Sequence, residues 1–314
     1  MRELRIVFMG TPDFAVGSLD ALKQANFNIV GVITAPDKPA GRGKKLHQSA
    51  VKKYALEHQL NLLQPTNLKN ESFLEELKQL NANLQIVVAF RMLPKIIWQM
   101  PKYGTFNLHA SLLPNYRGAA PINWAIINGE NKTGVTTFFI DEKIDTGSII
   151  LQEKVAITEN TNVGELHDEL LQIGSKLVVK TAQLISENNI KTFPQKDLES
   201  KSAPKIYTET CKIDWSKPLN EIYNLIRGLN PYPAAWSFLL NGEDKIKVKI
   251  FDVEKEVVNH SYTIGKMISS KNEIKIAVDN GLLKIKSLQL AGKRKMDTKS
   301  LLNGYSFLSD AKML

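Results

Sequence analysis

The stretch Leu4-Arg5-Ile6-Val7-Phe8-Met9-Gly10-Thr11-Pro12-Asp13-Phe14-Ala15 decides the fold. Residues 4–9 form an apolar, β-branched run and predict a first strand. Gly10-Thr11-Pro12-Asp13 reads as a turn. Residues 15–25 then carry Val16, Leu19 and Leu22 at helical spacing, and residues 28–34 predict a second strand. A strand, a glycine at the first crossover, a helix and another strand predict a Rossmann-like parallel sheet. The dinucleotide fingerprint is missing, because Gly10 is followed by Gly17 and not by a close glycine triplet. No NAD site is expected.

Further along, residues 84–90 are apolar apart from Gln85, as in the middle of a parallel sheet, and residues 105–109 predict the next strand. Helices are expected at 49–59, 71–80 and 122–128, the last closed by Gly129. Residues 135–140 and 148–157 read as a β-pair around the loop 141–147. Residues 164–187 predict a long amphipathic helix with Leu166, Leu170, Ile173, Leu177 and Leu184 near one face. Residues 188–205 are polar, contain Pro194 and Pro204, and read as a linker. A helix at 218–227 and strands at 235–240, 245–253, 262–269, 274–278 and 282–290 follow. Asn241-Gly242 and Asn280-Gly281 are hairpin turns, and a small β-barrel is the natural closure of such a set. The expected organisation is α/β: a Rossmann-like domain with a mainly parallel sheet at 1–188, a linker at 189–205 and a small barrel at 206–314.

Of the 314 residues, 43% are hydrophobic and 23% charged, as in ordinary globular proteins. The lone Cys211 excludes an intramolecular disulfide and disfavours a cysteine zinc site. No apolar run approaches the roughly 20 residues that span a bilayer. The N-terminus enters a strand directly, so no signal peptide is expected, and a cytoplasmic protein is. The net charge of +9 fits a polyanionic partner, and equally a generally basic surface. Residues 34–53 form a basic, Pro/Gly-rich excursion in which Lys38, Arg42, Lys44, Lys45, Lys52 and Lys53 oppose only Asp37. Such a loop suits phosphates, or is a solvated charged loop. Residues 205–314 hold 18 Lys/Arg and 12 Asp/Glu, a net of 18 − 12 = +6. Lys245, Lys247 and Lys249 alternate and so share one strand face, and Lys293, Arg294 and Lys295 form a cluster.

Chemistry concentrates in Asn107-Leu108-His109-Ala110-Ser111-Leu112-Leu113-Pro114. Alternation puts Asn107 and His109 on one face at a strand's carboxyl end, where open α/β sheets bind ligands. Asp145 lies in the Gly-closed loop Ile144-Asp145-Thr146-Gly147. A His with an Asp can move a proton, and an Asn amide can donate to an oxyanion. No Ser or Cys is marked as a nucleophile, so the set fits direct acyl transfer. Taken singly, Asn107 can cap a turn, His109 can be a core histidine and Asp145 a turn residue.

Phe8-Met9-Gly10-Thr11-Pro12-Asp13-Phe14-Ala15, the 107–114 motif with Tyr116-Arg117-Gly118-Ala119-Ala120-Pro121, and Asp145-Thr146-Gly147 together resemble the folate-dependent formyltransferases. The loop Lys38-Pro39-Ala40-Gly41-Arg42-Gly43-Lys44-Lys45 is similar to that of the members acting on methionyl-tRNA, as are Ile213-Asp214-Trp215 and Asn230-Pro231-Tyr232-Pro233-Ala234-Ala235-Trp236. The resemblance implies 10-formyltetrahydrofolate as donor and the α-amino group of initiator methionyl-tRNA as acceptor, with no metal. It implies Asn107, His109 and Asp145 as catalytic residues. Ser111, Leu112, Leu113 and Pro114 would form part of the folate site, with Phe90, Arg91 and Met92 on its other wall. Lys38, Arg42, Lys44 and Lys45 would engage tRNA, with Lys247, Lys293 and Arg294 on an OB-like second domain. Arg91-Met92-Leu93-Pro94 stands where the tRNA enzymes usually carry a longer Gly-containing apolar turn, so it departs from the family pattern. A monomer without membrane attachment is expected. Formyltransferases of sugar nucleotides or purine precursors share the trio without needing this loop or this barrel, and a non-catalytic RNA-binding relative would not need the trio.

Overall fold

A computed structural model describes residues 1–40, 45–196 and 200–314, the side chains of Ala40 and Lys45 excepted. The chain divides into two compact units. One comprises Met1–Gly118, Thr133–Val155 and His167–Ser202, and the other Ala119–Lys132, Ala156–Leu166 and Ala203–Leu314.

In the first unit, β1 (Arg5–Gly10), α1 (Asp13–Gln24) and β2 (Asn28–Ile33) form the expected crossover. A short hairpin follows, β3 (Lys38–Ala40) against β4 (Lys45–His47), inside what the sequence shows only as a loop. Then come α2 (Ala50–Glu57), β5 (Leu62–Leu63), α3 (Glu71–Gln79), β6 (Leu84–Val88), α4 (Lys95–Trp98), β7 (Thr105–His109) and β8 (Arg117–Gly118). After α5 (Pro121–Ile127), which belongs to the second unit, β9 (Lys132–Phe139), β10 (Ile149–Ala156) and α6 (Val163–Ser186) complete the sequence up to β11 (Ser202–Ala203). The main sheet runs β10-β9-β7-β6-β1-β2-β5. β1 pairs β2 and β6 in parallel, β2 pairs β5 and β6 pairs β7 likewise, and β9 joins β7 antiparallel.

Helices cover both sheet faces. Val7, Met9 and Val87 pack with Phe73, Leu74 and Leu77 of α3 and Ile97 of α4. On the other face, Gly174 of α6 lies against Leu108, and Gly17 of α1 lies against Leu171 of α6. A Cβ on Gly17 would come within 2.5 Å of Leu171, so the small residue permits the two helices' close approach. Phe8, Phe106 and Phe138 are fully buried, each stabilising by about 1.5–3 kcal/mol.

The second unit carries α7 (Leu219–Leu229), β12 (Ala235–Asn241), β13 (Asp244–Val257), β14 (Met267–Ser269), β15 (Ile274–Val278), β16 (Gly281–Leu290), β17 (Met296–Asp297), α8 (Thr298–Leu302) and β18 (Lys312–Met313). The sheet order is β14-β15-β16-β13-β12-β18. The Lys266–Lys312 bridge and the Met267 N–H to Ala311 carbonyl bond at 3.0 Å join its two ends, giving a nearly closed antiparallel barrel. The strand expected at 262–269 is confined to its last three residues, because Gly265 turns with φ +82 and packs on Met313. Among the described residues, no helix is long and apolar enough to cross a membrane.

Candidate active site

β7 ends at His109, and the alternating pattern puts Asn107 and His109 on one face. Register sets Asn107 beside Val87 of β6 and His109 opposite Thr136 of β9. The imidazole is buried, 6% exposed. Its Nε2 lies 2.8 Å from the Tyr116 carbonyl. A carbonyl only accepts, so Nε2 carries the proton and Nδ1 is left as the proton-accepting nitrogen. Nδ1 stands 3.8 Å from Asp145 Oδ2. That is too long for a hydrogen bond but short enough for attraction once the ring is protonated.

Asp145 is placed by its loop. The Gly118 N–H donates to Asp145 Oδ2 at 3.0 Å. Asp145 itself is left-handed, φ +56. Gly147 must stay glycine, since a Cβ there would lie 1.7 Å from the Phe139 carbonyl oxygen. Ala89 (φ +47) and Tyr116 (φ +62) are also left-handed without being glycine. Such backbone costs about 1–3 kcal/mol each and gathers at ligand sites. Asn107 Oδ1 is buried with no hydrogen-bond partner among the described residues. A buried acceptor of this kind fits a substrate N–H.

The segment after β7 is held by its own turn. Ser111 Oγ donates to the Asn115 carbonyl at 2.6 Å, so this fully buried hydroxyl closes the turn. Thr136 Oγ1 accepts the Leu113 N–H at 3.2 Å and donates to the Ser111 carbonyl at 2.6 Å. Gln152 Nε2 donates to the Leu113 carbonyl at 2.9 Å. Leu113 is buried, Leu112 half-buried, and the Leu113–Pro114 bond is cis. β6 stops at Val88, short of the expected residue 90. Beyond it, Phe90 is half-buried and Met92 is 72% exposed. The Arg91 guanidinium donates to the carbonyls of Pro65 and Thr66 and lies 5.5 Å from the Phe90 ring centroid. Burial lowers its pKa.

Lys38 is exposed on the β3–β4 hairpin. The hairpin's root is tied by Asp37, which accepts from Lys52 at 2.7 Å and Gln64 at 3.1 Å. Arg42 and Lys44 lie outside the described residues, as does the side chain of Lys45. In the barrel, Ala291 N–H donates to the Lys247 carbonyl, which brings the exposed Lys293, Arg294 and Lys295 beside β13. Lys247 Nζ lies 3.8 Å from the Trp236 ring centroid and Lys245 Nζ 4.6 Å from that of Phe238. The basic stripe is therefore interleaved with aromatic rings, a surface suited to phosphates and bases. Tyr116 and Gly118, which hold His109 and Asp145, stand in the sequence as motif residues with no role of their own, because they act through backbone atoms. Among the described residues, no group of three or more His, Cys, Asp or Glu could hold a metal ion.

Residues 4–182 match the family model described as formyl transferase, and residues 205–306 match that of the formyl transferase C-terminal domain. A methionyl-tRNA formyltransferase of Flavobacterium johnsoniae is 60% identical over 314 residues, covering 100% of both chains. One of Bacteroides fragilis is 52% identical, covering 99% of this chain and 98% of its own. An N-formyltransferase from Helicobacter canadensis, solved in complex with folinic acid and dTDP-3-aminofucose, is 24% identical with a TM-score of 0.67, covering 94% of this chain and 100% of that one. HypX from Aquifex aeolicus, solved with tetrahydrofolic acid, is 17% identical with a TM-score of 0.66, covering 96% of this chain and 47% of that one. These two likenesses concern the fold.

Proposed function

The chain belongs to the formyl transferase family, and from that premise we propose that it transfers a formyl group from 10-formyltetrahydrofolate to the α-amino group of initiator methionyl-tRNA. The observation that carries this reading is the convergence of Asn107, His109 and Asp145 at the end of β7, in a chain whose full-length relatives bear that name. The donor supplies an activated formyl carbon. Asn107 Oδ1 accepts an N–H of the attacking amine and so aims its lone pair, and the Asn107 amide group donates to the formyl oxygen as charge builds there. His109 Nδ1 takes the proton released as the new C–N bond forms. Asp145 stabilises the resulting imidazolium across 3.8 Å. His109 then returns that proton to the departing folate nitrogen as the old C–N bond breaks.

In this reading residues 1–188 carry the transfer, 189–205 connect and 206–314 present a tRNA-binding surface. The 111–114 turn, with Phe90, Arg91 and Met92 opposite, holds the folate. The orphaned acceptor of Asn107 and this pinned turn fit such a donor. Lys38, Arg42, Lys44 and Lys45 engage the acceptor end, and Lys247, Lys293 and Arg294 the phosphates. The trio lies within one unit, so a monomer suffices, working in the cytoplasm where its acceptor is used.

The test is acceptor choice. The chain is incubated with 10-formyltetrahydrofolate and, separately, charged initiator tRNA, uncharged tRNA or a dTDP-amino sugar. Formyl transfer to charged tRNA alone is expected. Transfer only to the amino sugar would replace this reading with that of a sugar N-formyltransferase.

A further inference from the structure

The polar stretch after α6 carries a side chain that reaches the site. Phe193 and Ile149 exchange backbone hydrogen bonds of 2.8 and 2.9 Å, which sets this stretch alongside β10. Two residues on, Gln195 is half-buried with its amide fully used. Nε2 donates to the Asp145 carbonyl at 2.9 Å and to the Gly147 carbonyl at 2.8 Å. Oε1 accepts from Arg117 Nε at 3.2 Å and Nη2 at 2.7 Å. Arg117 sits between two residues that hold the pair. The Tyr116 carbonyl takes the His109 Nε2–H, and the Gly118 N–H holds the Asp145 carboxylate.

Gln195 thus joins the backbone that carries Asp145 to the segment that orients His109. We infer that Gln195 is a positioning residue for formyl transfer, fixing the Asp145 loop at its working distance from His109 through Arg117. This rests on the proposed role of the trio.

The chemistry demands a glutamine. Two carbonyls need two donors, and a guanidinium needs an acceptor. A glutamate would turn a carboxylate oxygen on both carbonyls. A lysine would repel Arg117. Asparagine is one methylene short. The left-handed Asp145 persists only if its surroundings over-determine it, and these two bonds help to do so.

Gln195→Glu tests this with little change of shape. It keeps the Arg117 contact and loses both donors to the loop. Since a misplacement of ~1 Å can cost about 10²-fold, kcat should fall about 10–100-fold, with both KM values within about twofold. Because Gln195 acts through Asp145, adding Gln195→Glu to Asp145→Asn should cost less than about twofold more. Should the double variant fall below detection, hydrogen exchange of a peptide spanning residues 141–147 decides. It should speed up in Gln195→Glu, while thermal unfolding stays near the parent value. Unchanged kcat, losses that multiply with those of Asp145→Asn, or unchanged exchange would each overturn the inference alone. Absence of transfer to methionyl-tRNA by the unaltered protein would overturn it together with the proposed function.

Discussion

Asp145→Asn separates charge from shape in the site. The asparagine oxygen can still accept the Gly118 N–H, so the loop keeps its anchor. What is lost is the negative charge 3.8 Å from His109 Nδ1, between side chains only 7% and 13% exposed. At an effective dielectric of about 20, a full charge pair at that distance is worth roughly 4 kcal/mol. Each 1.36 kcal/mol is tenfold in rate, so complete loss is about 10³-fold, and half-developed charge in the transition state about 30-fold. The imidazolium exists only once the proton has moved, so the loss falls on kcat and leaves tRNA and folate affinity alone. Steady-state formylation of methionyl-tRNA, read on acid gels, measures it. A kcat within about threefold of the parent, or a loss confined to KM, would refute the reasoning.

Asn107→Ala removes an oxyanion donor and should lower turnover by about 10²–10³-fold, seen under saturating substrates. Gly147→Ala forces a Cβ to within 1.7 Å of the Phe139 carbonyl oxygen, so both turnover and melting temperature should fall. Lys247→Ala, on the Trp236 stripe, should weaken tRNA binding and reduce the slope of log K against log salt by about one. The Asp37 carboxyl is held below its usual range, first by the hydrogen bond from Lys52 and next by that from Gln64. A carboxylate with a depressed folded-state pKa stabilises above the unfolded value of about 4, and this is lost as pH falls through the folded value. The melting-temperature advantage of the parent over Asp37→Asn should therefore be present at neutral pH and vanish in acid.

The strand–helix–strand opening and the strand bearing Asn107 and His109 were legible because their apolar spacing is dictated by burial. Val7 and Met9 face α3, and Leu108 faces α6, as alternation requires. The barrel was legible from Asn-Gly turns between alternating runs. Its closure was not, because β18 has two residues and pairs far across the sequence with β12. Helix α4, with four residues, is too short to show a period. Segments Ala119–Lys132 and Ala156–Leu166 group with the C-terminal unit through partners distant in sequence, such as Arg227 donating to the Thr158 and Thr161 carbonyls. Asp145 stands out in the sequence as a residue but not in its geometry, since the loop is anchored by the Gly118 N–H and by the side chain of Gln195, 50 residues away. Gln195 left no signal, because one glutamine in a polar stretch has neither periodicity nor motif.

The most direct measurement is single-turnover transfer by rapid quench, with enzyme, 10-formyltetrahydrofolate and charged initiator tRNA all saturating, for the parent and His109→Ala. Formyl transfer by the variant should be slower by at least about 10²-fold, the scale of lost general acid–base catalysis, with substrate binding unchanged. A transfer step in His109→Ala as fast as in the parent would contradict the mechanism built on this site.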